Sequence, residues 1–235
     1  MSVLRPTATD RAAASDLARR ARTVLALPAS AHLAVEDVEH LDAGDLALCD
    51  LAGVPTLGCP ADSPLARAAA EGRGAVLTVT GGLADHPGLV TVVGRLRTLR
   101  VERCSCPCDD GERHVVRLEP RYVALELPGE ARRRVPMAAF SSPEHALNPG
   151  YLARALRHAN TCHADLLRET LATATGRAPG EILTAEISGL TPSGLEVTWV
   201  DAAGAHRRGL AFPRTAADAD DLALLMRGLL HVGLR

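Results

Sequence analysis

Four polar residues, His158, Asn160, His163 and Asp165, crowd into the run R-H-A-N-T-C-H-A-D-L-L. Read as helix, His158, Cys162 and Asp165 fall at i, i+4 and i+7 on one stripe, and Asn160 and His163 share the neighbouring stripe. Two imidazoles, an amide and a carboxylate so placed can orient one another, fix tautomers, and hold a metal, a tetrapyrrole or a partner's backbone. Equally, they can cap, cross-link and solvate one helix face. A second concentration is C-S-C-P-C-D-D-G-E-R-H, where Cys104, Cys106, Cys108 and His114 offer the donor types of tetrahedral zinc. Their spacing is not that of a C-x-x-C knuckle, and the alternative is an exposed hairpin tip. Cys59-Pro60 and Cys106-Pro107 also match the short Cys-Pro pattern associated with regulatory haem contact.

Composition narrows what those residues can serve. A chain of 235 residues with 47% hydrophobic content can bury a sizeable core and is long enough for two domains. A formal net charge of -2 gives neither a nucleic-acid footprint nor a membrane-surface patch. The aromatic residues are Tyr122, Phe140, Tyr151, Trp199 and Phe212, too few for base-stacking platforms. The core must be Leu, Val and Ala. Every basic residue is Arg, which excludes Schiff-base chemistry, a Walker-type phosphate loop and a kinase-type lysine, because each needs an ammonium on a flexible stem. Neither G-x-S-x-G nor H-E-x-x-H occurs, so hydrolase readings have no motif. No signal peptide and no membrane-length apolar run are visible, and a cytoplasmic location is expected. There the six cysteines are expected reduced, with Cys49 and Cys162 as packing residues.

The elements that must position these groups read as follows. An Ala-rich amphipathic helix is predicted over 9–26. Short strands follow at 31–38 and on either side of an L-A-G turn centred on Gly53. Ser63-Pro64 starts a short helix running through Arg73. G-A-V-L-T-V-T, G-L-V-T-V-V-G-R-L-R-T-L-R-V, H-V-V-R-L-E-P and R-Y-V-A-L-E-L then read as separate strands. About six strands with little intervening helix predict an antiparallel barrel or sandwich. A-A-F-S-S-P-E-H-A-L-N-P-G reads as a linker, which divides the chain into domains at 1–140 and 147–235. Beyond it the pattern predicts one helix from Tyr151 to Thr175 stopped by Gly176, a three-strand meander, and a closing helix. The fold class is α+β.

H-A-N-T-C-H-A-D-L-L, followed by the helix and the meander ending in A-F-P, resembles the C-terminal domain of HugZ-like haem-utilisation proteins, with His-x-Asn-x-x-His-x-Asp as the motif. The resemblance covers 147–235; the first half is similar only in strand order and length. It implies a split β-barrel of the flavin-reductase type followed by an α-β-β-β-α domain, homodimerisation through the barrel, and haem bound near the dimer interface. It also implies His158, Asn160, His163 and Asp165 as functional positions, with His231, near the C-terminus, as a candidate axial ligand. Arg207 and Arg208 are candidates to pair with propionates, although adjacent strand residues point to opposite faces. Flavin-binding relatives clamp a phosphate where this chain reads C-P-A-D-S-P-L-A, and Asp62 would repel that anion, so FMN is disfavoured. Three readings follow: a haem binder or haem-degrading oxygenase, a non-catalytic regulator of tetrapyrrole metabolism, and an FMN-dependent oxidoreductase.

Overall fold

In this computed structural model the described residues are 7–38, 47–103 and 112–232, and they form two compact units, Met1–Gly150 and Tyr151–Arg235. The class is α+β. Cys104, Cys106 and Cys108 lie outside the described residues.

The first unit opens with α1 (Ala8–Ala26), whose N-terminus is closed by a capping box between Thr7 and Asp10. Leu17, Ala21, Val24 and Leu25 recur at helical spacing and are all buried. The strands are β1 (Pro28–Val35), β2 (Ala47–Leu51), β3 (Val54–Cys59), β4 (Gly74–Leu83), β5 (His86–Arg103), β6 (Glu112–Glu126) and β7 (Arg133–Arg134). They pair antiparallel in the order β1-β4-β5-β6-β3-β2, with β7 also on β6, as a curled half-barrel. Ala52 and Gly53 both take positive φ in the β2–β3 turn, the backbone that a two-residue hairpin needs. Helix α2 (Pro64–Glu71) starts where Ser63 Oγ accepts from the Ala66 N–H at 3.1 Å and ends at Gly72 in the left-handed region.

The two segments read as separate strands around Pro120 are one strand, β6. Tyr122 pairs with Val93 and Pro120 with Gly94, which leaves Arg121 bulged out. The extra residue switches the inward parity of β6, from Val116 and Leu118 to Val123 and Leu125, all buried. A proline without an N–H is tolerated at that bulge. A Cβ on Gly94 would collide with the Glu119 carbonyl, so the pairing needs glycine there.

The segment read as a linker is also packed. It contains α3 (Met137–Phe140) and a 3-10 turn at Pro143–His145, and Phe140, His145 and Asn148 are buried. Its polar residues satisfy one another: Asn148 Nδ2 donates to the His145 carbonyl at 3.1 Å.

The second unit comprises α4 (Pro149–Cys162), α5 (Ala164–Thr175), β8 (Ile182–Thr191), β9 (Gly194–Asp201), β10 (Gly204–Ala211) and α6 (Ala219–Val232), with sheet order β10-β9-β8. Helix α4 begins two residues inside the first unit. The single helix expected over 151–175 is two helices. His163, at φ -127° and ψ 21°, leaves the helical region, although its N–H still bonds the Ala159 carbonyl at 3.0 Å.

Candidate ligand-binding site

The break at His163 rearranges the stripes expected of a continuous helix. Asn160 turns to the sheet: its Nδ2 donates to the Ile187 carbonyl at 2.9 Å and its Oδ1 accepts from the Ile187 N–H at 2.8 Å. Ile187 adjoins the β8 bulge, where the pairing with β9 skips Ser188, so one amide holds both backbone groups beside an irregular ladder. The imidazoles of His158 and His163 remain together, edge to face with ring centroids 5.2 Å apart, and both are exposed. Asp165 points away as an 88% exposed side chain, 3.4 Å from Arg168. The structure therefore joins the two histidines and gives the asparagine a separate, structural partner.

Arg207 pairs with Glu196 at 2.7 Å on an exposed sheet surface. Its neighbour His206 points to the opposite face, stacks flat on Trp199 at 5.0 Å, and meets Asp201 at 2.9 Å through Nε2. Asp201 is buried, also faces Arg177 at 3.2 Å, and accepts from the Ala203 N–H at 2.8 Å. The hydrogen bond from His206 holds its carboxyl below the usual carboxylate range. His114 lies on β6 opposite Cys59 on β3. His231 lies in α6, and its side chain is outside the described residues.

Two clusters of the first unit carry no local sequence signal. Arg22 and Asp50 form a fully buried ion pair; Arg22 Nη1 also donates to the Phe140 carbonyl at 3.1 Å, and Asp50 accepts from the Gly53 N–H at 2.8 Å. Ser15, Glu144 and His145 also meet, but Ser15 and Glu144 both approach the same imidazole nitrogen, Nε2, at 3.5 and 3.2 Å. That excludes a relay through opposite ring nitrogens.

Among the described residues, one cavity with room for a ligand, of about 520 Å³, lies in the first unit. Its lining includes apolar Val24, Leu83 and Leu127, the cationic or ionisable Arg19, Arg20 and His86, and the carboxylates of Asp85 and Glu130. Arg19 and Arg20 both hold Asp16, at 2.6 and 2.9 Å, so two guanidiniums share one carboxylate. His86 opens β5 after a two-residue turn, and its Nδ1 lies 3.0 Å from Asp85 Oδ2. The imidazole holds the Asp85 carboxyl below its ordinary range. Glycines allow the close approach behind this wall: a Cβ on Gly88 would press on Val24 at 3.0 Å, and Gly82 takes a positive φ of 100° beside the His86 carbonyl. The cavity residues come from α1, the β4–β5 turn and the segment after β6, so no short motif announces them. The pair Gly81-Gly82 before the turn and Pro87-Gly88 after it was the available hint.

No family model matches the chain, and no curated protein matches it. Among solved structures, the chain is similar to a haem-binding protein from Mycobacterium smegmatis, at 19% identity and a TM-score of 0.42 over 98% of each chain. It is also similar to a protein of unknown function from Agrobacterium tumefaciens, at 19% identity and a TM-score of 0.41 over 97% of this chain and all of that one.

Proposed function

We propose that the chain is a cytoplasmic, homodimeric haem-binding protein whose first unit is a split β-barrel of the flavin-reductase type. The observation that carries the proposal is the cavity, whose lining combines apolar Val24, Leu83 and Leu127 with two guanidiniums and an imidazole, beside the carboxylates of Asp85 and Glu130. Its volume of about 520 Å³ lies within the range of about 300–1,000 Å³ common for small-molecule sites. A planar apolar macrocycle with two carboxylates asks for those three features: a slot for the ring, cations for the propionates, and a nitrogen donor. The motif His-x-Asn-x-x-His-x-Asp adds the family resemblance. When bound, haem would supply an iron centre; the chain itself shields the ring from water and neutralises the propionates through Arg19 and Arg20. Arg20 and Arg19 already sit on adjacent helical positions, so a ligand carboxylate competes with Asp16 for groups held at the rim.

The test is a titration that varies charge on both sides. The double variant Arg19→Gln, Arg20→Gln should bind haemin about tenfold more weakly, as expected when charge-assisted hydrogen bonds are lost. Haemin dimethyl ester, which lacks the carboxylates, should bind both proteins alike. Equal haemin affinity in the two proteins would remove the propionate assignment. In the same samples, ascorbate under air reports on cleavage: loss of the Soret band with growth of a bile-pigment band marks an oxygenase, and a stable spectrum marks a binder.

A further inference from the structure

We propose that His158 and His163 form a divalent transition-metal site, with zinc as the ion that their geometry fits; the site depends on neither the cavity nor the haem reading. In an unbroken helix, residues at i and i+5 stand about 140° apart around the axis, so their side chains do not meet. Here His163 leaves the helical region at φ -127° and ψ 21°, and the two rings come to 5.2 Å between centroids, at an interplanar angle of 83°. Two imidazoles on one zinc, with Zn–N at about 2.0–2.1 Å and a tetrahedral angle between the bonds, have centroids about 5 Å apart, whereas a right angle brings them to about 4.5 Å. The spacing of this pair is the tetrahedral one.

Both imidazoles are available for ligation. His163 stands at the N-cap of α5 yet makes no side-chain cap hydrogen bond, and neither ring has a hydrogen-bond partner among the described residues. His86, His145 and His206 each face a carboxylate instead, that of Asp85, Glu144 and Asp201. The backbone beneath the pair is held on both sides of the break. Asn160 binds both backbone groups of Ile187, the His163 N–H bonds the Ala159 carbonyl, and the His163 carbonyl accepts from the Leu167 N–H at 3.0 Å. Both rings are exposed, so an ion reaches them from solvent and completes its shell with water or a small anion. Asp165 is drawn off to Arg168 at 3.4 Å, and among the described residues no three His, Cys, Asp or Glu side chains converge. The site therefore has two protein ligands and open positions, unlike a closed four-ligand structural zinc.

Zinc is titrated calorimetrically into wild type, His158→Ala, His163→Ala, Cys162→Ser and the double variant His158→Ala, His163→Ala, at about pH 7.5 and about pH 5.5. Zinc held elsewhere on the chain, by other cysteines for instance, is common to wild type and the double variant and cancels in their difference. At the higher pH, wild type should take up one zinc per chain more than the double variant, with a micromolar dissociation constant. Each single histidine variant should bind that zinc at least about tenfold more weakly, and Cys162→Ser should stay within about twofold of wild type. Zinc and protons compete for the same nitrogens, so the difference between wild type and the double variant should vanish at the lower pH. Equal uptake by wild type and the double variant at the higher pH, or a difference seen only at millimolar zinc, overturns the proposal and leaves the pair as an edge-to-face contact. A loss in Cys162→Ser as large as in either histidine variant overturns the two-imidazole site as well.

Discussion

Arg22 and Asp50 show how a single pair can organise a unit while leaving no trace in the sequence pattern. Arg22 stands in the buried half of α1, and its partner lies in another element 28 residues away. Desolvating both charges is offset only because further donors and acceptors, the Phe140 carbonyl and the Gly53 N–H, complete the set. Asp50→Ala leaves the guanidinium buried and unpaired, and should cost about 3–5 kcal/mol in denaturant unfolding. A loss under about 1 kcal/mol would mean that Arg22 finds water. His145 gives a pH dependence with a definite sign. Burial, opposed by Glu144 and reinforced by Arg22 and Arg19, holds its pKa below the ordinary 6.5. The unfolded chain therefore takes up this proton first, so stability falls as pH drops through 6.5 toward the folded value. The variant His145→Gln should show a flatter pH profile of melting temperature below pH 6.5 than wild type.

At the level of elements, much was legible, and the failures share a cause. Helix α1, helix α2 with its Ser63-Pro64 start, the Gly53 hairpin and the three-strand meander each follow from local caps, turns and periodicity. Pro120 hid the continuity of β6 because a bulge, a pairing between strands, is invisible within either strand alone. The 138–150 segment looked like solvent-facing linker because its polar residues find partners in each other and in α1. His163 looked helical because nothing in its immediate sequence breaks a helix. The amide of Asn160, a candidate site residue, joins α4 to β8 through Ile187. Asn160→Ala should therefore cost about 1–3 kcal/mol by leaving Ile187's N–H and carbonyl unpaired. His163→Ala, exposed at the junction, should stay within about 0.5 kcal/mol in the same thermal melts. The reverse order would show that the histidine pair, not the amide, holds α4 in place.

For the whole molecule, the outer face of the first sheet bears on assembly. Val76, Val93 and Tyr122 occupy one register row across β4, β5 and β6, and Val76 and Tyr122 are each 37% exposed. An apolar row on adjacent strands is suited to cover by a second copy about a two-fold axis. Light scattering should give twice the 24.6 kDa chain mass at micromolar concentration, and Tyr122→Glu should return it to one. A monomer in wild type would leave this row as ordinary surface. The cavity lined by Arg19 and Arg20 belongs to the same unit but rests on separate residues, so the two expectations can fail independently. The most direct test of haem binding is a haemin titration of wild type beside Leu83→Trp, in which the indole fills the cavity. The account predicts a Soret band saturating at one haem per chain in wild type and its loss in the variant. No band in wild type, or equal bands in both proteins, would contradict it.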